Sequence, residues 1–202
     1  MKRNVALCLI ALTVLLTAAS ACKKQEGAPP PAPGPAAAVA QPAQPTPSAN
    51  PLRPGDLLPE LSLKDQTGQS VALRSFRGKK VIVWFYPAAL TPGCTAEGEG
   101  FKSRSAELTK SNLAVVGVSF DTPAKNLLFA RKHGFTFPLL SDLDRSLALA
   151  LGAAESASAP FARRVSALVD EAGRVRKLYS RVDPLRHPDE VLRDVAVLAK
   201  SP

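Results

Sequence analysis

The chain predicts an α/β domain in which one mixed central sheet carries helices on both faces. Three observations support that prediction. Two continuous apolar runs, Val81–Tyr86 and Leu113–Phe120, are rich in β-branched and aromatic residues and read as strands buried on both sides. Each leads into a segment able to form a helix, Thr95 to about Lys110 and Asp121 to about His133. A hairpin pattern and an amphipathic helix then close the chain. That order of elements suits a sheet covered on both faces.

Each element has a local cause. Leu61–Leu63 and Ser70–Leu73 flank the turn signal Asp65-Gln66-Thr67-Gly68 and form a short hairpin. Val81–Tyr86 is a central strand, with Trp84 and Tyr86 in the core. In the helix from Thr95 to about Lys110, Phe101 and Leu108 face inward, although Gly98 and Gly100 weaken its intrinsic helicity. Asp121-Thr122-Pro123 opens the next helix with a capping residue and a first-turn proline, and Gly134 stops it. Phe137–Leu140 is a short strand ending at Ser141-Asp142, and Asp144–Leu151 is a helix ending near Gly152. Val165–Val169 and Arg174–Tyr179 pair around Asp170-Glu171-Ala172-Gly173. The closing helix, Pro188–Lys200, repeats Val191, Leu192, Val195 and Leu198 at helical spacing.

The N-terminal part is of another kind. Lys2 and Arg3 precede an apolar stretch from Val5 to about Leu16 and then small residues, the layout of a secretory signal over residues 1–21. Ala19-Ser20-Ala21-Cys22 resembles a bacterial lipobox, which predicts a diacylated Cys22 and a membrane anchor. Residues 22–54 then form an Ala/Pro-rich tether without the large apolar side chains that folding needs. The expected domain is 55–202, exported across the inner membrane and held facing the periplasm.

The formal charge is +9, but basic and acidic residues are interspersed and no aromatic stacking platform accompanies them, so nucleic acid is not an expected partner. His133 and His187 are isolated and read as surface residues; no spacing suits a metal. Of Cys8, Cys22 and Cys94, only the last falls in the domain, which excludes a disulfide within it.

Cys94 has telling neighbours. Pro87-Ala-Ala-Leu-Thr-Pro-Gly-Cys94 follows directly on the central strand and delivers the cysteine to the mouth of a helix, with Thr91 three residues upstream. A helix N-terminus offers free N–H groups and the positive end of the dipole, which favour a thiolate. Ionisation alone is a limited gain. A free thiol is about 3 per cent ionised near pH 7, so full ionisation yields some ~30-fold, or about 2 kcal/mol of barrier. Any larger acceleration requires donors aimed at the reacting atoms.

Trp84-Phe-Tyr-Pro-Ala-Ala-Leu-Thr-Pro-Gly-Cys-Thr-Ala-Glu97, with Gly117–Pro123, Phe137–Asp142 and Arg164–Gly173, resembles the peroxiredoxins of the bacterioferritin-comigratory, or Q-type, subfamily. The resemblance implies a thioredoxin-like fold and a peroxidase that needs no cofactor. It implies that Cys94 is the peroxidatic cysteine and that Thr91 hydrogen-bonds the thiolate and the peroxide. Pro87 would shield the sulfur, and Arg164 (or the adjacent Arg163) would stabilise it. Glu97 would orient that arginine. Hydrogen peroxide and organic hydroperoxides are the implied substrates, and the protein would be a monomer or weak dimer.

Many members of that subfamily carry a resolving cysteine five residues after the peroxidatic one; here Glu99 stands there. The expectation is a one-cysteine cycle in which an external thiol, from a thioredoxin-like protein or a small molecule, reduces Cys94. Ala153–Phe161 also departs from the family. Two alternatives stay open at this point: a thiol–disulfide oxidoreductase, disfavoured because Thr91 replaces the first cysteine of a C-x-x-C pair, and a degenerate thioredoxin-fold binding module without peroxidase activity.

Overall fold

The computed structural model describes residues 51–198. The expected signal, the expected acylation site Cys22 and most of the expected tether lie outside the described residues. Seven strands form one mixed sheet in the order β2-β1-β5-β4-β3-β6-β7. They are β1 (Ser62–Lys64), β2 (Ser70–Ala72), β3 (Lys80–Phe85), β4 (Leu113–Ser119), β5 (Leu139–Ser141), β6 (Ser166–Val169) and β7 (Val175–Tyr179). The central β3, β4 and β5 run parallel, and the outer strands join them antiparallel. Among the described residues five α-helices accompany them, α1 (Pro92–Ser103), α2 (Ser105–Lys110), α3 (Pro123–His133), α4 (Ser146–Ala150) and α5 (His187–Leu198), with one 3-10 helix at Leu73–Phe76.

Strand alternation divides the core. Val81, Val83 and Phe85 of β3 face one apolar layer with Val116, Val118 and Leu147. Ile82, Trp84 and Tyr86 face the other, with Phe101, Phe129, Val191 and Val195 from α1, α3 and α5. Both faces of β3 are therefore buried, which is why its sequence is continuously apolar. Cys94 belongs to the second layer.

Several boundaries differ from the sequence-based expectation for physical reasons. The helix expected over 95–110 begins at Pro92 and breaks at Arg104, whose guanidinium bonds Asp189 and the Gly100 carbonyl. Within the expected Asp121-Thr122-Pro123 start of α3, Thr122 is the capping residue, accepting from the Lys125 N–H, while Asp121 serves the loop before α1. β5 starts at Leu139 rather than Phe137, whose ring stacks on Phe135 at a centroid distance of 5.1 Å. Asp142 lies ahead of α4, where its carboxylate accepts from the N–H groups of Leu147 and Ala148.

The glycines that weaken α1 have a packing purpose. A Cβ at Gly98 would come within 2.6 Å of the Phe135 ring, and one at Gly100 within 2.8 Å of Pro188 Cγ. The helix gives up intrinsic stability so that Phe135 and the start of α5 can approach its backbone.

Candidate active site

β3 ends at Phe85, and the chain turns through Pro87–Leu90 into the first turn of α1. Leu90 takes a left-handed backbone, φ 67°. Two bonds hold the turn. The Thr91 hydroxyl donates to the Ala88 carbonyl at 2.9 Å, and the Ala89 N–H donates to Asp121 Oδ2 at 2.7 Å. Asp121 is fixed in turn by the Ser119 hydroxyl at 3.1 Å and the Lys125 ammonium at 2.6 Å. Behind the turn, the Tyr86 hydroxyl donates to Asn126 Oδ1 at 2.7 Å. Burial pushes that phenol far above its ordinary ionisation range, so it remains a neutral donor.

Cys94 has no exposure to solvent. Its sulfur lies 3.3 Å from Arg164 Nη2. Arg164 immediately precedes Val165, whose carbonyl accepts from the Phe85 N–H, so strand pairing sets where the guanidinium sits. Its Nη1 donates to Glu97 Oε2 at 2.8 Å. Glu97, one turn along α1 from the cysteine, is fully buried, and a buried carboxylate survives only when paired. Its other oxygen meets His187 Nδ1 at 2.8 Å. Gly93 makes room for the arginine: a Cβ there would stand 2.8 Å from Arg164 Nη2.

The structure thus gathers Cys94, Arg164 and Glu97 into one chain of contacts. Arg163 points elsewhere, to Glu155, and is exposed. Pro87 is half-buried where the strand ends. Thr91 stands at the N-cap position, but its single hydroxyl proton goes to Ala88 rather than to the sulfur that the resemblance implies. Glu99 is exposed and meets His133 Nδ1 at 2.9 Å. His133 is half-buried, its ring stacked on Phe135. His187, expected on the surface, is completely buried. It escaped the sequence reading because 90 residues separate it from Glu97, and no motif links the two. Among the described residues no group of side chains could hold a metal ion.

Comparisons with known proteins identify the family to which this fold belongs. The AhpC/TSA family pattern matches residues 54–178. Peroxiredoxin Bcp of Escherichia coli (strain K12) is 38% identical over 148 residues, spanning 71% of this chain and 95% of that protein. The chloroplastic peroxiredoxin Q of Gentiana triflora is 34% identical over 140 residues, 69% of this chain and 64% of that one. Among solved structures, peroxidoxin BcpB of Mycobacterium tuberculosis matches with a TM-score of 0.68 at 29% identity, covering 73% of this chain and 98% of that one. The bacterioferritin comigratory protein of Xanthomonas campestris matches with a TM-score of 0.65 at 32% identity, covering 69% and 92%. A fold of thioredoxin type, a cysteine at a helix mouth under a guanidinium, and these relatives together place the chain in the AhpC/TSA family, as a peroxiredoxin and thus an enzyme of the thiol peroxidase class.

Proposed function

We propose that Cys94 reduces hydrogen peroxide and organic hydroperoxides through a sulfenic acid. The observation that carries this reading is the 3.3 Å contact between Arg164 Nη2 and the Cys94 sulfur, with Glu97 holding the guanidinium from behind. The sulfur lies in the first turn of α1 with the guanidinium directly beside it. The thiolate attacks one peroxide oxygen. An S–O bond forms as the O–O bond breaks, and the departing oxygen takes a proton to leave as water or an alcohol. Arg164 supports charge on the sulfur before attack and on the leaving oxygen after it. Thr91 turns its hydroxyl from Ala88 towards the bound peroxide. The Xanthomonas campestris relative carries alkyl peroxide reduction activity, which favours an organic hydroperoxide among the substrates here.

Cys94 is the only cysteine among the described residues, so its sulfenic acid is returned by thiols from outside the domain. A first thiol displaces water and forms a mixed disulfide; a second thiol releases Cys94 and leaves as the partner disulfide. The proposed setting is the cell envelope, with residues 1–21 as the signal, Cys22 acylated, and 22–54 as a tether to a folded 55–202. That part rests on the sequence order alone. Intact mass of membrane-extracted protein tests it, since an unmodified Cys22 removes the anchor.

The test of the chemistry is stopped-flow mixing of the reduced protein with hydrogen peroxide or cumene hydroperoxide. Fast, stoichiometric sulfenic acid that Cys94→Ser abolishes is the expected result. A rate no better than that of a free thiol would falsify the peroxidase reading in favour of a binding module.

A further inference from the structure

We infer that His187 is a positioning residue for the peroxide reaction, acting through Glu97 on the Arg164 guanidinium. The inference rests on the peroxidase reading above. The geometry forms one continuous series: His187 Nδ1 to Glu97 Oε1 at 2.8 Å, Glu97 Oε2 to Arg164 Nη1 at 2.8 Å, and Arg164 Nη2 to the sulfur at 3.3 Å. Each carboxylate oxygen has one charged or strongly polar partner. Without the imidazole, the Glu97 carboxylate could swing about its last torsion and take the guanidinium with it. With the imidazole, both oxygens are pinned and the plane of the arginine is set.

His187 is held for this task. Its ring packs edge-on against Phe101 at 5.4 Å and Tyr179 at 5.0 Å between centroids. Nε2 is buried and has no hydrogen-bond partner among the described residues, so Glu97 is the only polar group the side chain serves. The Tyr179 hydroxyl turns away to Asp194 at 2.7 Å. The carboxylate already accepts from the guanidinium, so Nδ1–H is the donor in this bond. The backbone brings the ring there because Pro188 seats against Gly100 and Asp189 binds Arg104. α5 thereby supplies a residue to the back of the site although it never faces the sulfur.

A purely structural role, anchoring α5, predicts a different result from a positioning role. Asparagine carries an N–H donor the same number of bonds from Cβ as Nδ1, whereas leucine fills the space and donates nothing. We expect His187→Leu to oxidise at Cys94 about 10- to 100-fold more slowly with hydrogen peroxide, the scale of a misplaced catalytic group. His187→Asn recovers most of the rate. In an Arg164→Lys background the leucine change adds less than about twofold, because the planar fork it orients is gone. Circular dichroism and urea unfolding report the fold of each protein. Equal rates for wild type, Leu and Asn, or equal slowing by Leu and Asn, overturn the inference while leaving the peroxidase reading standing. A slow wild type overturns both. Should the leucine variant fail to fold, His187→Gln replaces it, since glutamine sets its donor one bond too far out; Asn and Gln with the same rate overturn the inference.

Discussion

Glu97 and Arg164 meet at 2.8 Å across 67 residues of chain, and the carboxylate end of the pair has no contact with solvent. The guanidinium is partly exposed, so the pair is a buried anion holding a cation at the rim of the site. Removing the anion frees the cation to swing into water. Glu97→Ala is expected to destabilise the protein by about 3 kcal/mol, the lower end for breaking a buried pair, since the arginine left behind can hydrate. It also slows Cys94 oxidation. Urea denaturation and stopped-flow kinetics on the same sample measure both.

Gly93→Ala separates activity from stability. The added methyl would lie 2.8 Å from Arg164 Nη2, so the guanidinium must move off the sulfur. Alanine is better than glycine in a helix by about 1 kcal/mol, which offsets part of the strain. The expected outcome is at least a ~10-fold loss of peroxide rate with an unfolding midpoint close to wild type. An unchanged rate would show that the guanidinium contact is not needed.

Asp121→Ala should loosen the turn that carries Pro87 and Thr91. It strips the Ala89 N–H of its acceptor, at a cost of about 1–3 kcal/mol for an unmet buried donor. Slower sulfenic acid formation is expected as well, although Asp121 touches no reacting atom. Hydrogen exchange at Ala89 is the direct check: protection there should fall more than in β3.

Stability should carry a signature of Asp142. Burial pushes its carboxyl from 3.8 up to about 6, against the N–H groups of Ala148 and Leu147, which hold it down less strongly. A raised carboxyl binds its proton more tightly in the folded state. Its contribution is therefore complete below about pH 4 and is lost as pH rises through 6, with a magnitude on the order of 3 kcal/mol. Denaturation of wild type and Asp142→Asn at pH 5 and 7.5 tests this. The wild type should gain on the variant at the lower pH; a constant difference would mean that Asp142 keeps its charge throughout.

Much of the fold was legible because it lies in local pattern. The continuous apolar runs marked β3 and β4, and turn chemistry at Asp65 and Asp170 marked the two hairpins. The reactive segment was legible as a motif, and Glu97 and Arg164 came from a resemblance. What local pattern could not carry was register across distance. Arg163 and Arg164 are equivalent in sequence, and only pairing of the strand start with Phe85 aims one at Cys94 and the other at Glu155. His187 reads as a polar residue ahead of an amphipathic helix, and its burial depends on Gly100 lying opposite Pro188. The break at Arg104 depends on Asp189, 85 residues further on.

The notches at Gly98 and Gly100 leave the sulfur-bearing helix poorly able to stay wound by itself. It is completed from outside, by an aromatic ring on one flank and a proline on the other. Filling either notch with alanine would strengthen the isolated helix and expel the neighbour that packs there. Any agent that pries α5 loose will therefore also take away a support of the coil beneath Cys94, so the winding of the nucleophile's helix is tied to the last helix of the domain.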